Sequence, residues 1–213
     1  MKRFIGGWLM ALFLLSGVTH AAFEEGRHYM SLPFPATVET GNRIEVREFF
    51  WYGCPHCYVL EPGLANWMKK MPANAQFVRT PGTATKWMIH GQAYYTFEAL
   101  GALDKLHGAF FKAVQEKPGA YSDEQAIAAF AANHGVDVKK FGEVFNSFGV
   151  RLKLERAKQL NQDLNISSVP SLVVDGKYLT SAAMAGGEEA MLKLLDHLIS
   201  KAAKERPKQP RKK

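Results

Sequence analysis

The stretch Ile44-Glu45-Val46-Arg47-Glu48-Phe49-Phe50-Trp51-Tyr52-Gly53-Cys54-Pro55-His56-Cys57 reads as a strand that turns directly into a helix, and this join decides the fold. Residues 44–51 are rich in β-branched and aromatic types, as a central strand is. Tyr52-Gly53 makes the turn. Pro55 then fits a first helical turn, where its missing N–H costs nothing. Leu60, Leu64, Trp67 and Met68 continue an apolar face at helical spacing to about Lys70. Both cysteines of the chain lie at the join.

Working outward, Ala75 to Thr80 reads as a second strand, ended by Pro81-Gly82. Residues 85–164 show no strand pattern. Their Ala-, Leu- and Phe-rich periodicity is broken at Lys117-Pro118-Gly119, at His134-Gly135 and near Gly149, which predicts four helices. Ser122-Asp123-Glu124-Gln125 offers a capping box to one of them. Strand character returns in Ser171-Leu172-Val173-Val174, with Asp175-Gly176 as a two-residue hairpin signal and Lys177-Tyr178-Leu179 as the return strand. A last amphipathic helix is expected over 188–203, burying Met191, Leu192, Leu195, Leu198 and Ile199. The order describes an α/β body interrupted by a helical insertion.

The ends read differently from the body. Lys2 and Arg3 precede an apolar run from Phe4 to Leu15, and small residues lead to Thr19-His20-Ala21-Ala22. That is the layout of a secretory signal peptide over residues 1–21, cleaved after Ala21. The run is too short to span a bilayer comfortably, so a soluble, exported protein is expected. The formal charge of +7 is concentrated at the termini: without Lys2, Arg3 and the +6 carried from Lys201 onward, the body has a net charge of −1. Such a body lacks the basic face of a nucleic-acid binder. Residues 204–213, basic and containing two prolines, are expected to be a disordered tail.

Two cysteines in one four-residue window of an exported protein point to a redox-active disulfide rather than a structural framework. Thiol–disulfide exchange needs a thiolate, access to a substrate sulfur and a second thiol to resolve the mixed disulfide. Cys54, at the helix start, faces unpaired backbone N–H groups and the positive end of the dipole, which makes it the attacking thiol. Cys57 lies a turn further in and resolves. His56 can donate to the Cys54 sulfur and add positive charge, which favours thiolate over disulfide. A tetrahedral zinc site needs two further ligands. No second cysteine pair or closely spaced histidine pair supplies them, and His90, His107 and His134 read as surface or satisfied core residues. Copper(I) held by the two thiolates stays open as an alternative.

The segment Glu48 to Tyr58 resembles the active-site strand and helix of the DsbA family of periplasmic thiol:disulfide oxidoreductases. Ser168-Val169-Pro170-Ser171-Leu172-Val173-Val174-Asp175-Gly176-Lys177-Tyr178 resembles that family's second signature. The resemblance runs from about Phe23 to Ala203. It implies a thioredoxin fold in two halves, 22–84 and 165–203, with residues 85–164 as the helical insertion. It implies an acid, Glu48, beneath the dithiol for proton transfer at Cys57. It also implies a cis-proline loop at Val169-Pro170 which, with Pro55, contacts substrate. The expected reaction is donation of the Cys54–Cys57 disulfide to reduced, unfolded exported proteins, with reoxidation by a DsbB-type membrane oxidase. No cofactor other than the disulfide is implied, and a periplasmic monomer is expected. An isomerase or reductase would use the same residues, and a peptide-binding protein without enzymatic activity is a further alternative. Gly53, where some members carry an aromatic residue, and Ser168, where glycine is common, depart from the pattern.

Overall fold

The computed structural model describes residues 23–207. One five-stranded sheet, in the order β1 (Met30–Ser31), β5 (Tyr178–Thr180), β4 (Ser171–Val174), β2 (Ile44–Phe50) and β3 (Ala75–Pro81), forms the centre. Strand β2 lies between β4 and β3, and every residue of it is buried. It runs parallel to β3 (Ala75–Pro81) and antiparallel to β4 (Ser171–Val174). Burial of Arg47 is tolerable because each of its three guanidinium nitrogens has a partner: it donates to Glu45 at 2.7 Å, to Glu39 at 2.8 Å and to the Thr80 hydroxyl at 2.6 Å.

Helix α1 (Pro55–Met68) leaves the end of β2 and lies on one face of the sheet beside the C-terminal helix α8 (Glu188–Glu205). Ile44, Val46, Leu60, Leu64, Leu195 and Leu198 meet there in one core cluster. Trp67 Nε1 donates to Asp196 across the two helices at 2.8 Å. The buried stripe of α8 contains Met191, Leu195, Leu198 and Ile199 as expected, together with Leu194, while Leu192 is half-buried at its edge.

Between β3 and β4 come a 3-10 turn (Thr85–Trp87) and five helices: α2 (Met88–Ala99), α3 (Leu103–Glu116), α4 (Glu124–Asn133), α5 (Val138–Phe145) and α6 (Phe148–Asp163). Four were expected. The extra break is at Gly101, whose φ of 65° ends α2 in a left-handed residue. The cap of α4 is Asp123 rather than Ser122, its carboxylate accepting from Ala126 N at 2.8 Å. Ser147 caps α6, so Gly149 lies inside the first turn rather than at the break. Phe97, Phe110, Phe111, Leu106 and Ile127 form a core continuous with Phe50, Tyr52 and Cys57.

The hairpin turn Asp175-Gly176 has φ of 55° and 64°, the doubly positive pattern of a tight two-residue connection. It leads to β5 (Tyr178–Thr180), which pairs with the two-residue β1 (Met30–Ser31). A short helix α7 (Ala182–Ala185) precedes α8. Helix α8 continues two residues past its expected end. Arg206 then donates to the Asp175 carboxylate and, at 3.1 Å, to the Gly41 carbonyl. Residues 204–206 are thus part of the folded body, against the expected tail boundary, because Asp175 offers a buried counter-charge. The expected signal segment and residues 208–213 lie outside the described residues. Among the described residues no helix is long and apolar enough to cross a membrane.

Candidate active site

Cys54 is the N-cap of α1, with extended backbone (φ −86°, ψ 115°) and Pro55 behind it in the first turn. Both cysteines are present as thiols. Cys54 is 7% exposed and Cys57 fully covered, while Pro55 and His56 are exposed. Geometry separates the two thiols electrostatically. The Cys57 thiol donates to the Cys54 sulfur, which, against the opposing effect of burial, brings Cys54 down to about 6. The backbone N–H groups of Cys57 and His56, and the nearby His56 imidazole, act in the same direction. Cys57 moves the other way, far above the thiol range, because its proton is held on Cys54, it is buried, and it sits beside the Cys54 charge. At neutral pH the pair is one thiolate and one thiol.

The Val169–Pro170 peptide is cis, and the Val169 carbonyl lies 3.3 Å from Cys54 Sγ. The Ser171 hydroxyl donates to the Ser168 carbonyl at 2.8 Å, tying this loop to the start of β4. The structure therefore brings Cys54, Cys57, His56, Pro55, Val169 and Pro170 to one place, at the join of β2 and α1.

Glu48 is fully buried on β2. Burial raises its carboxyl to about 7, with Arg79 opposing and Glu61 assisting. One oxygen accepts from Arg79 Nε at 2.9 Å, and Oε1 has no partner among the described residues. Arg79 also donates to Glu61 at 3.0 Å, and His107 Nε2 stands 3.5 Å from Glu61. His107 Nδ1 is 2.8 Å from the Tyr52 hydroxyl. Gln115 donates to the Tyr52 carbonyl at 2.8 Å, fastening the turn before Cys54 to α3. Arg79, Glu61, Tyr52 and His107 escape a sequence reading. Glu61 had a signal, since it lies two helical turns beyond Cys54; Arg79 had none without the register that sets it opposite Glu48.

Gly53 meets a steric demand. A Cβ there would stand 2.3 Å from the Trp51 indole, which folds over it. Trp51 in turn stacks on Trp87 (centroids 5.0 Å apart, 15° between planes). His90 and His134 are each hydrogen-bonded to a backbone carbonyl, of Tyr121 and Phe130. Among the described residues no three His, Cys, Asp or Glu side chains gather where they could hold a metal ion.

A family model described as a DSBA-like thioredoxin domain matches residues 65–198. The thiol:disulfide interchange protein DsbA of Pseudomonas aeruginosa is 38% identical over 204 residues, covering 94% of this chain and 97% of the relative. The DsbA of Azotobacter vinelandii is 39% identical over 93% of this chain and 97% of its own. Alignments of this extent necessarily run through the dithiol. The crystal structure of Pseudomonas aeruginosa DsbA superposes with a TM-score of 0.82 at 40% identity, covering 86% of this chain and 97% of that one. With the fold, the dithiol at a helix start and the similarity of the whole chain in agreement, this protein belongs to the DsbA family and is a thiol:disulfide oxidoreductase.

Proposed function

We propose that the enzyme works as a disulfide donor to reduced, unfolded proteins exported to the periplasm, with Cys54 as the reactive sulfur. The observation that carries this reading is the opposite displacement of the two thiols, Cys54 down to about 6 and Cys57 far up. Stabilising a thiolate favours only the reduced pair, since the disulfide carries no charge to stabilise. The oxidised pair is correspondingly ready to give up its bond.

A substrate thiolate attacks Cys54 Sγ of the disulfide, forming the mixed disulfide and breaking the Cys54–Cys57 bond. Cys57 leaves as a thiolate and takes a proton, for which Glu48, with its carboxyl near 7, is the internal source. A second substrate thiolate attacks the substrate sulfur and expels Cys54 as the stabilised thiolate. Two electrons have then passed to the enzyme, and a DsbB-type membrane oxidase removes them. His56 supports the Cys54 thiolate, and Val169 and Pro170 offer backbone beside the reacting sulfur for an extended chain. Pro55 shapes the contact surface on the other side. The disulfide itself is the only redox group required, and the protein acts as a monomer. The division into two thioredoxin-like segments (22–84 and 165–203) and an inserted 85–164 belongs to the same proposal, as does removal of residues 1–21 on export.

The test is trapping. The Cys57→Ala variant, with Cys54 first charged as a mixed disulfide with thionitrobenzoate, should form a covalent adduct at Cys54 with a reduced, unfolded protein as thionitrobenzoate leaves, and Cys54→Ala should show no exchange. Absence of the adduct in the charged Cys57→Ala variant would contradict the assignment of Cys54 as the reactive sulfur.

A further inference from the structure

The cleft on the insertion side of the dithiol has a volume of about 680 Å³ and is walled by Trp51, Gly53, Pro55, Ile89, Val114 and Tyr121, among others. Gly53 and Pro55 are the chain neighbours of Cys54 on either side, so whatever fills the cleft lies within a residue or two of a sulfur bonded to Cys54. The Trp51 wall is held in place. Its indole covers Gly53 so closely that no side chain fits there. It is also stacked on Trp87 and, at 6.0 Å between centroids, on His90. A pre-positioned aromatic wall facing aliphatic side chains suits an aromatic guest, whose ring gains both burial and edge or offset contacts.

Charge narrows the class further. Among the described residues no carboxylate lines the cleft, and the exposed Lys86 stands on its rim. A basic side chain entering it would lose hydration without finding a counter-charge.

We propose that this cleft is a side-chain subsite that takes an aromatic residue next to the cysteine of an extended substrate, and that Trp51, folded over Gly53, sets its selectivity. The proposal rests on the reading that Cys54 forms the mixed disulfide, and it adds to that reading a preference among substrates.

Two single-cysteine peptides test it, alike except for Phe or Lys on both sides of the cysteine. Each rate of reaction with the oxidised enzyme is divided by that peptide's rate with oxidised glutathione, which removes differences in thiol reactivity. The Phe peptide should be favoured by about tenfold, the factor that 1.4 kcal/mol supplies. Trp51→Ala should reduce the ratio severalfold. Thr85→Glu, an exposed change that puts a carboxylate on the rim, should raise the relative rate of the Lys peptide. Equal normalised rates in the unmodified enzyme would overturn the subsite while leaving the donor reading intact, as would a Phe preference untouched by both variants. Reaction with neither peptide would overturn the donor reading, and the subsite with it.

Discussion

Cys54 and Cys57 stand three positions apart in one helical turn, yet their protons are held in opposite ways. The difference begins with the bond between them: the Cys57 thiol donates to the Cys54 sulfur, which also meets backbone N–H groups at the helix start, whereas Cys57 is held protonated by that bond and by burial. Titrating the thiolate absorbance of the reduced enzyme should therefore give a midpoint near about 6, with no second thiolate below the ordinary thiol range. Glu48 is the matching acid. Replacing it by Gln should slow mixed-disulfide formation, in which Cys57 departs, by on the order of a hundredfold and remove the pH dependence centred near 7 from that step. Rapid-mixing kinetics of mixed-disulfide formation by the oxidised enzyme across pH 5 to 9 measure it, and an unchanged profile would exclude Glu48 as the proton source. Cys54, Pro55, His56 and Cys57 were legible because their roles depend on immediate neighbours in the chain. Arg79 was not, because only the pairing of two strands puts it against Glu48.

At the scale of elements, local signals with a steric cause were readable and those depending on packing were not. Asp175-Gly176 announced its hairpin because few other residue pairs adopt two positive φ angles. Gly176 is further constrained, since a Cβ on it would lie 2.2 Å from the Ala36 carbonyl oxygen. Gly176→Ala should accordingly destabilise the enzyme by more than about 1 kcal/mol, seen as a lower denaturant midpoint at unchanged m-value. The break at Gly101 was missed because a lone glycine within an apolar run is tolerated in many helices. The two-residue β1 exists only through its pairing with β5, and no periodicity of its own can mark it. The stripe of α8 stands where its periodicity put it at Met191, Leu195, Leu198 and Ile199, but it also takes in Leu194 and leaves Leu192 half-buried, because only contact with α1 and the sheet sets how wide the buried face is.

For the molecule as a whole, the two perturbed groups at the site act oppositely on stability. Glu48 has a folded pKa near 7, above its unfolded value of 4.5, so the stability it contributes is full below about pH 4.5 and is lost as pH rises through 7. Cys54 has a folded pKa near 6, below its unfolded value of 9.0, so its contribution is full above about pH 9 and is lost as pH falls through 6. Only the reduced enzyme has the Cys54 thiol. The excess stability of the reduced over the oxidised enzyme should therefore grow between pH 6 and 9, and paired denaturation curves of the two forms measure that difference. A gap independent of pH over this range would mean that Cys54 is not the stabilised thiolate.

The reduction potential of the Cys54–Cys57 pair, measured by equilibration in glutathione buffers and alkylation of free thiols, tests the central claim most directly. Donor function predicts a potential at neutral pH more oxidising than about −200 mV. It also predicts a slope that falls from about 59 to about 30 mV per pH unit as pH rises past the Cys54 midpoint, because one proton fewer then accompanies the two electrons. A potential near about −270 mV, the thioredoxin value, with no change of slope near pH 6, would contradict it and leave a reductase.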